Sequence, residues 1–293
     1  MAGAGLAVAP SVKNYIPSPA PAGFSLKILA TNWGFKGSMD QYLALVKKEN
    51  YDGIEIWWPN NEKDQQELFS LLDKYQLEAG FLAAGNESDF NTHLQSFKKN
   101  TEAAAMNKTR KPLYVNCHSG RDYFSFEQNR QLIAHTIDLT QKTGIKICHE
   151  THRSRMLYSA PAARQFFEKE KALRITLDIS HWFTVSESLL RDQQSTVEMA
   201  IGRADHIHAR IGHSEGPQVN DPRAPEWAEA VKAHLEIWDK IVEVKKKNND
   251  SLTILTEFGP PDYMPVLPYT RQPVADQWTV NVYMKDLLRK RYS

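Results

Sequence analysis

Eight short runs rich in β-branched and aromatic residues recur along the chain, at 26–33, 53–58, 77–83, 113–119, 145–152, 174–181, 206–212 and 252–259. The segments between them carry helical periodicity. Met39, Tyr42, Leu43, Leu45 and Val46 make one apolar face behind Ser38, a side chain suited to an N-cap, and Leu68, Leu71, Leu72 and Tyr75 make another. Ser125 and Gln128 have capping-box spacing ahead of Leu132, Ile133 and Ile137, and Gly144 is placed to end that helix. Pro225 opens a long helix bearing Trp227, Val231, Leu235, Trp238 and Ile241. Strands that alternate with helices must pair in parallel through right-handed crossovers. Eight such units in 293 residues fit the size of a (β/α)8 TIM barrel. A doubly wound sheet would carry a glycine-rich phosphate turn after its first strand, and Thr31-Asn32-Trp33-Gly34-Phe35-Lys36-Gly37 is not that turn. The predicted class is α/β: a single (β/α)8 TIM barrel over residues 25–293, behind a disordered or loosely attached tail over 1–24.

Composition narrows the function classes. A chain 41% hydrophobic and 24% charged can bury a core and is not disordered, and no run approaches the roughly 20 apolar residues of a membrane span. Thirty-six basic against 35 acidic side chains leave a net charge of +1, without the basic footprint of a nucleic-acid binder. The run from Ala2 to Ala9 meets Pro10 at once and makes a poor secretory signal. Period-2 alternation puts Cys117 and Cys148 on opposite faces of neighbouring strands, so no disulfide is expected and a reducing, cytoplasmic compartment is.

Four consecutive strand segments end in residues that do not belong in a core. Segment five ends Cys148-His149-Glu150-Thr151-His152, six ends Leu177-Asp178-Ile179-Ser180-His181, seven reads His206-Ile207-His208-Ala209-Arg210, and eight ends Thr256-Glu257-Phe258-Gly259. A carboxylate buried beside a barrel core costs several kcal/mol unless it is paired or bound to a cation. Glu150, Asp178, His208 and Glu257 supply three carboxylates and one nitrogen at the rim where barrel active sites lie. That hard donor set suits one Mn²⁺, Mg²⁺ or Co²⁺ ion, with Zn²⁺ compatible. Alternation turns His149 toward the helices and makes His206, one layer deeper than His208, a core histidine outside the site.

At these residues the sequence resembles the xylose isomerase-like barrel superfamily, which includes ketose 3-epimerases, sugar isomerases, dehydroshikimate dehydratases and type-IV apurinic endonucleases. The resemblance spans residues 26–290 and rests on the Glu, Asp-x-x-His, His and Glu of segments five to eight. It implies that Glu150, Asp178, His208 and Glu257 ligate the metal. Thr31-Asn32-Trp33-Gly34-Phe35 and His208-Ala209-Arg210-Ile211-Gly212 also look like the sugar isomerase and epimerase branch. Glu150-Thr151-His152 is similar instead to the dehydroshikimate dehydratases. Arg210 stands two residues beyond His208, whereas the epimerases carry their substrate arginine several residues beyond.

A metal flanked by two glutamates suits proton transfer next to a carbonyl. The expected function is a sugar isomerase or epimerase working through an enediolate, with Glu150 and Glu257 moving the proton. His118, His152, His181 and Arg210 would bind hydroxyls or steer protons, while Trp33, Trp57 and Trp58, at strand ends, offer faces for a sugar. The expected partner is a small carbohydrate or polyol-derived ketone. The alternative is a lyase that expels a β-hydroxyl with His152 as acid or base. A phosphodiesterase of the endonuclease type and a non-catalytic sugar-binding barrel rank lower. The proline-rich stretch 259–273, with Tyr263 and Tyr269, is either a lid or a rigid connector, and tryptophans on the outer helices would suit a homo-oligomer.

Overall fold

The computed structural model describes residues 23–293, so the expected tail lies outside the described residues except for Gly23 and Phe24. Eight parallel strands close in sequence order: β1 (Ser25–Thr31), β2 (Gly53–Trp57), β3 (Glu78–Ala84), β4 (Tyr114–His118), β5 (Lys146–Glu150), β6 (Ile175–Leu177), β7 (Ala204–Ala209) and β8 (Ser251–Thr256). Eight connecting or following helices form the outer layer: α1 (Met39–Lys48), α2 (Glu62–Tyr75), α3 (Phe90–Ala105), α4 (Phe126–Thr143), α5 (Ala160–Lys169), α7 (Gln194–Ile201), α8 (Ala228–Lys247) and α9 (Gln277–Tyr292). The short α6 (Ile179–Val185) follows β6 directly. The chain is a single (β/α)8 TIM barrel.

Local chemistry places the helix ends. Ser38 and Ser125 each cap the backbone three residues on, and Gln41 and Gln128 reach back to complete both capping boxes. Gly144 ends α4 at φ 68°, a left-handed backbone that glycine adopts without a Cβ penalty. Pro225 opens a 3-10 turn over Pro225–Trp227, and α8 starts only afterwards. The sixth segment differs more: its strand stops at Leu177, and Asp178 caps α6 by accepting from the Ser180 backbone N–H. A short polar residue that can satisfy a free helix N–H favours the cap over continued strand.

Most of the apolar core lies between the barrel and its helices, where Ile54, Ile147, Ile207 and Ile254 point outward onto helix residues such as Leu72, Leu132 and Ile241. The barrel interior holds only a small apolar plug of Leu29, Tyr114 and Leu255. Gly80 makes room for it, since a Cβ there would sit 2.3 Å from the Tyr114 ring. Above the plug β3 contributes Leu82 and Ala84, and most other inward positions are polar. Trp58 is buried, packing edge-on to Phe81 (4.9 Å), and forms part of the wall of a cavity beside Trp57. Of the outer-helix tryptophans Trp238 is fully buried, whereas Trp227 and Trp278 are half-buried, Trp278 against Tyr42 and Tyr51. Among the described residues no helix is long and apolar enough to cross a membrane.

Candidate active site at the C-terminal rim of the barrel

Strand alternation brings Glu150, His208 and Glu257 into one buried pocket. Glu150 ends β5, His208 lies near the end of β7, and Glu257 follows β8. His208 Nδ1 stands 3.0 Å from Glu257 Oε2 and 3.5 Å from Glu150 Oε1. Asn116 Nδ2, from β4, donates to Glu150 Oε2 at 2.9 Å, and His118 Nε2 lies 2.8 Å from the same oxygen. Asp178 arrives from the start of α6, held by Thr151, whose hydroxyl donates to its carbonyl and accepts from its N–H, both at 2.9 Å.

Arg210 is buried inside this cluster. Its guanidinium donates to Asp178 Oδ2, lies 3.5 Å from Glu257 Oε2 and contacts His181 Nε2 at 3.1 Å. It is thus an internal counter-ion, and both Asp178 oxygens already have protein donors: Arg210 on one, Ser180 on the other. His181 touches His152 (4.0 Å between ring centres), and His152 touches His118 (5.0 Å), so the three imidazoles line one wall. Burial pushes His152 down to about 4 and His181 below its ordinary value, which keeps both neutral at pH 7.

Trp33 stands at the mouth, edge-on to Tyr263 at 5.0 Å. Tyr263 comes from the proline-rich stretch after β8 and lays its ring over Arg210 at 4.6 Å. That stretch is folded: Tyr263 and Met264 N–H groups both bond to the Pro260 carbonyl, and Met264 is buried. His149 faces the helices, between Ser119 Oγ (2.6 Å) and Thr136 Oγ1 (2.7 Å). Cys117 and Cys148 are free thiols.

Glu55 escaped the sequence reading. It sits at the middle of β2, fully buried, with Oε1 3.0 Å from His208 Nε2 and Oε2 3.2 Å from His206 Nε2. His206 in turn stacks on Tyr114 at 4.1 Å and meets the Thr253 hydroxyl at 2.7 Å. The signal was present in Gly53-Ile54-Glu55-Ile56-Trp57, where a carboxylate alternates with isoleucines and must point into the barrel. Burial alone would raise the Glu55 carboxyl, but His208 and His206 outweigh it and hold the carboxyl far below its ordinary value.

His208 Nε2 faces Glu55 Oε1 at 3.0 Å and Asn116 Nδ2 at 3.1 Å. An ionised carboxylate only accepts, so in the ion-paired state Nε2 donates to Glu55, and Nδ1 faces the pocket. Nδ1 and Glu257 Oε2 are close yet make no hydrogen bond to each other. Three carboxylates around this ring raise His208 well above its usual value against the opposing effect of burial. A divalent cation answers the same demand for positive charge. Donor atoms of Glu150, Asp178 and His208 all lie within 4.8 Å of one another, and Glu257 Oε2 adjoins them. These residues fit a hard metal ion of one imidazole and up to three carboxylates. Two further groupings, Glu55 with His206 and His208 and Glu150 with His152 and His181, have similar spacing.

Comparison with known proteins agrees with this architecture. A family profile described as "Xylose isomerase-like TIM barrel" matches residues 43–249. No curated protein matches the chain. Among solved structures it is similar to the 3-keto-D-glucoside 4-epimerase of E. coli, at 15% identity and TM-score 0.56, over 90% of this chain and 99% of that one. It is also similar to the probable 3-DHS dehydratase of Bacillus anthracis involved in petrobactin synthesis, at 15% identity and TM-score 0.54, over 89% and 98%. The IOLI protein with a bound zinc atom matches at 16% identity and TM-score 0.60, over 91% and 99%. At such identities the likeness to these structures is one of fold, whereas the profile match covers more than half of the chain. The chain belongs to the xylose isomerase-like TIM barrel family.

Proposed function

We propose that this protein is a divalent-metal-dependent isomerase or epimerase of a small polyhydroxy ketone, in which glutamates move a carbon-bound proton. The observation that carries the reading is the convergence of Glu150 and Glu257 on His208 Nδ1, at 3.5 and 3.0 Å, in a pocket where more carboxylates gather than Arg210 alone offsets. A divalent ion held by Glu150, Asp178, His208 and Glu257 would supply Lewis acidity, polarising a carbonyl and stabilising the charge that develops on its oxygen. Mn²⁺, Mg²⁺ or Co²⁺ suits the oxygen-rich set, and Zn²⁺ belongs in the same assays.

Glu257 has the freer carboxylate and is 12% exposed at the mouth, so it takes the proton from the carbon next to the carbonyl. Glu150 is held by Asn116 and His118 through Oε2, which leaves Oε1 facing the pocket. Burial raises its carboxyl, but His118 and His208 hold it well below its ordinary value, so it takes up a proton from solvent before it returns one. Arg210 offsets the charge of Asp178 and Glu257, and the neutral rings of His152 and His181 bind hydroxyl groups. Trp33 and Tyr263 close the mouth with apolar faces that stack on sugar C–H surfaces and exclude water.

The second reading is a dehydratase. A buried, neutral His152 beside Glu150 is a group that can protonate a departing hydroxyl. Incubating the Mn²⁺-loaded protein with a panel of ketoses and keto-cyclitols in D₂O separates the two. Isomerase chemistry introduces deuterium next to the carbonyl without loss of water, and a dehydratase yields an ultraviolet-absorbing enone. If no substrate exchanges a proton and Glu257→Gln matches the wild type throughout, proton-transfer chemistry is refuted. We place the reaction in the cytoplasm, on the barrel formed by residues 25–293.

A further inference from the structure

Most arginines of the described chain pair with carboxylates, as Arg174 does with Asp205 and Arg291 with Asp239. Arg153 and Arg203 do not, and neither do Arg121, in the loop after β4, and Arg155, in the loop after β5. Arg121 and Arg155 are the two that converge on one loop. Both reach back to the loop after β3, where Arg121 donates to the Asn86 carbonyl and Arg155 Nη1 lies 3.5 Å from the Gly85 carbonyl. Each retains a buried Nε–H without a hydrogen-bond partner. Burial opposes the Arg155 charge and the neighbouring Arg121 opposes it further, while Glu150 and Asp122 favour it from a distance. Two half-buried guanidiniums that reach the same loop, each with a buried Nε–H still free, leave donors that an oxyanion between them would engage.

Beside Arg155 opens a cavity of about 290 Å³ whose wall combines apolar side chains of β3 with Trp57, Trp58, Asn60, Asn86 and Asn100, and Arg121 reaches its edge through the Asn86 carbonyl. A water occupies about 30 Å³ of liquid, so this space holds a substituent of a larger ligand. The cavity adjoins the proton-transfer site through one side chain. Trp57 is half-exposed and stands edge-on to His118 at 5.2 Å, and His118 contacts Glu150 at 2.8 Å. A ligand that spans from Glu150 past the indole therefore brings its far end to Arg155.

We propose that Arg121 and Arg155 form a subsite for an anionic oxygen group, a phosphate or a carboxylate, at the end of the substrate remote from the reacting carbon. The substrate is then an anionic sugar. This deepens the proposed proton-transfer function and rests on it for where the reacting carbon lies. Guanidinium forks suit both anions because they offer paired N–H donors at the spacing of two oxygens.

The test is calorimetric titration of the full chain, with saturating Mn²⁺ and at constant ionic strength, with inorganic phosphate and with acetate. The wild type should bind at least one probe, Arg155→Met and Arg121→Met should each weaken it tenfold or more, and Arg155→Lys should retain part of the affinity. Preference for phosphate assigns a phosphorylated sugar, and preference for acetate assigns a sugar acid. Should Arg155→Met not fold, Arg121→Met on the loop after β4 carries the same comparison. If neither probe binds, or both bind these variants as they bind the wild type, the arginines merely clamp the loop after β3 and the proposal is overturned. Phosphate binding without proton exchange on any ketose would leave the subsite standing and refute the proton-transfer reading instead.

Discussion

Replacing Glu55 by glutamine tests whether the carboxylate beneath the rim sets how His208 meets a metal. The substitution conserves volume in a fully buried position and removes the acceptor-only group 3.0 Å from His208 Nε2. A glutamine amide can donate to Nε2, which would shift the ring proton to Nδ1, the nitrogen that faces Glu150 and Glu257. Losing the partner that orients a ligating histidine typically costs about 10–100-fold in metal affinity. At a metal concentration of about 100 times the dissociation constant, binding stabilises the wild type by about 2.7 kcal/mol. An unfolding entropy of about 2.1 cal/mol/K per residue turns this into a rise in Tm of about 4–5 °C for a chain of this length. For Glu55→Gln under the same conditions, a tenfold loss leaves a rise of about 2 °C and a hundredfold loss less than about 1 °C. The assay is thermal unfolding with and without Mn²⁺, comparing the shift within each protein so that any baseline destabilisation cancels. An undiminished shift in Glu55→Gln, confirmed by calorimetric Mn²⁺ titration, would sink the argument that Glu55 presents Nδ1.

Glu257→Gln should fold normally and lose about 10²–10⁴ in the rate of solvent deuterium incorporation, since it removes a general base while leaving the strand ends in place; a wild-type rate would exclude Glu257 as the proton acceptor. Tyr263→Ala should raise KM more than it lowers kcat, because it uncovers Arg210 and Trp33 without touching the glutamates, and steady-state kinetics reads the split. Burial alone would raise the carboxyls of Asp205 and Asp250, but Arg174 and Lys245 hold the first below its ordinary value and Lys146 and Lys245 hold the second. That stabilisation is complete above about pH 4, the unfolded value, and is lost as pH falls through the depressed folded values. Tm should therefore drop steeply below about pH 4, and Asp205→Asn, which takes a carboxylate from Arg174 and leaves Lys245 to Asp250 alone, should already be about 1–3 kcal/mol less stable at pH 7. Gly53→Ala should cost at least about 1–3 kcal/mol in chemical denaturation, because its Cβ would meet the Glu78 carbonyl oxygen at 2.3 Å and only a shift of β2 against β3 relieves it.

The architecture was legible in the sequence because it rests on local regularities. Capping residues at Ser38 and Ser125, glycine at 144 and the alternation of strand and helix patterns each act within a few residues, and together they permit few topologies. The convergence of Glu150, His208 and Glu257 was legible for the same reason, since period-2 strands ending at one rim must bring such residues together. Reading failed where the meaning of a residue depends on distant strands. Glu55 and His206 meet across the barrel, and neither shows its partner locally. Asp178 was legible as a rim carboxylate, but not as a helix cap already bound to Arg210. Trp58 carries the same strand-end signature as Trp57, and only packing against Phe81 or exposure beside His118 tells them apart.

By itself, then, the sequence determined an eightfold parallel barrel and the rim on which its ionisable residues gather, because hydrophobic periodicity and capping are short-range and repeat. The tertiary structure alone decided which charges answer one another. Arg210 is paired within the carboxylate pocket, whereas Arg121 and Arg155 remain without a carboxylate beside a cavity. Coulomb energies and desolvation depend on distances between side chains far apart in the chain, and only closure of the barrel sets those distances.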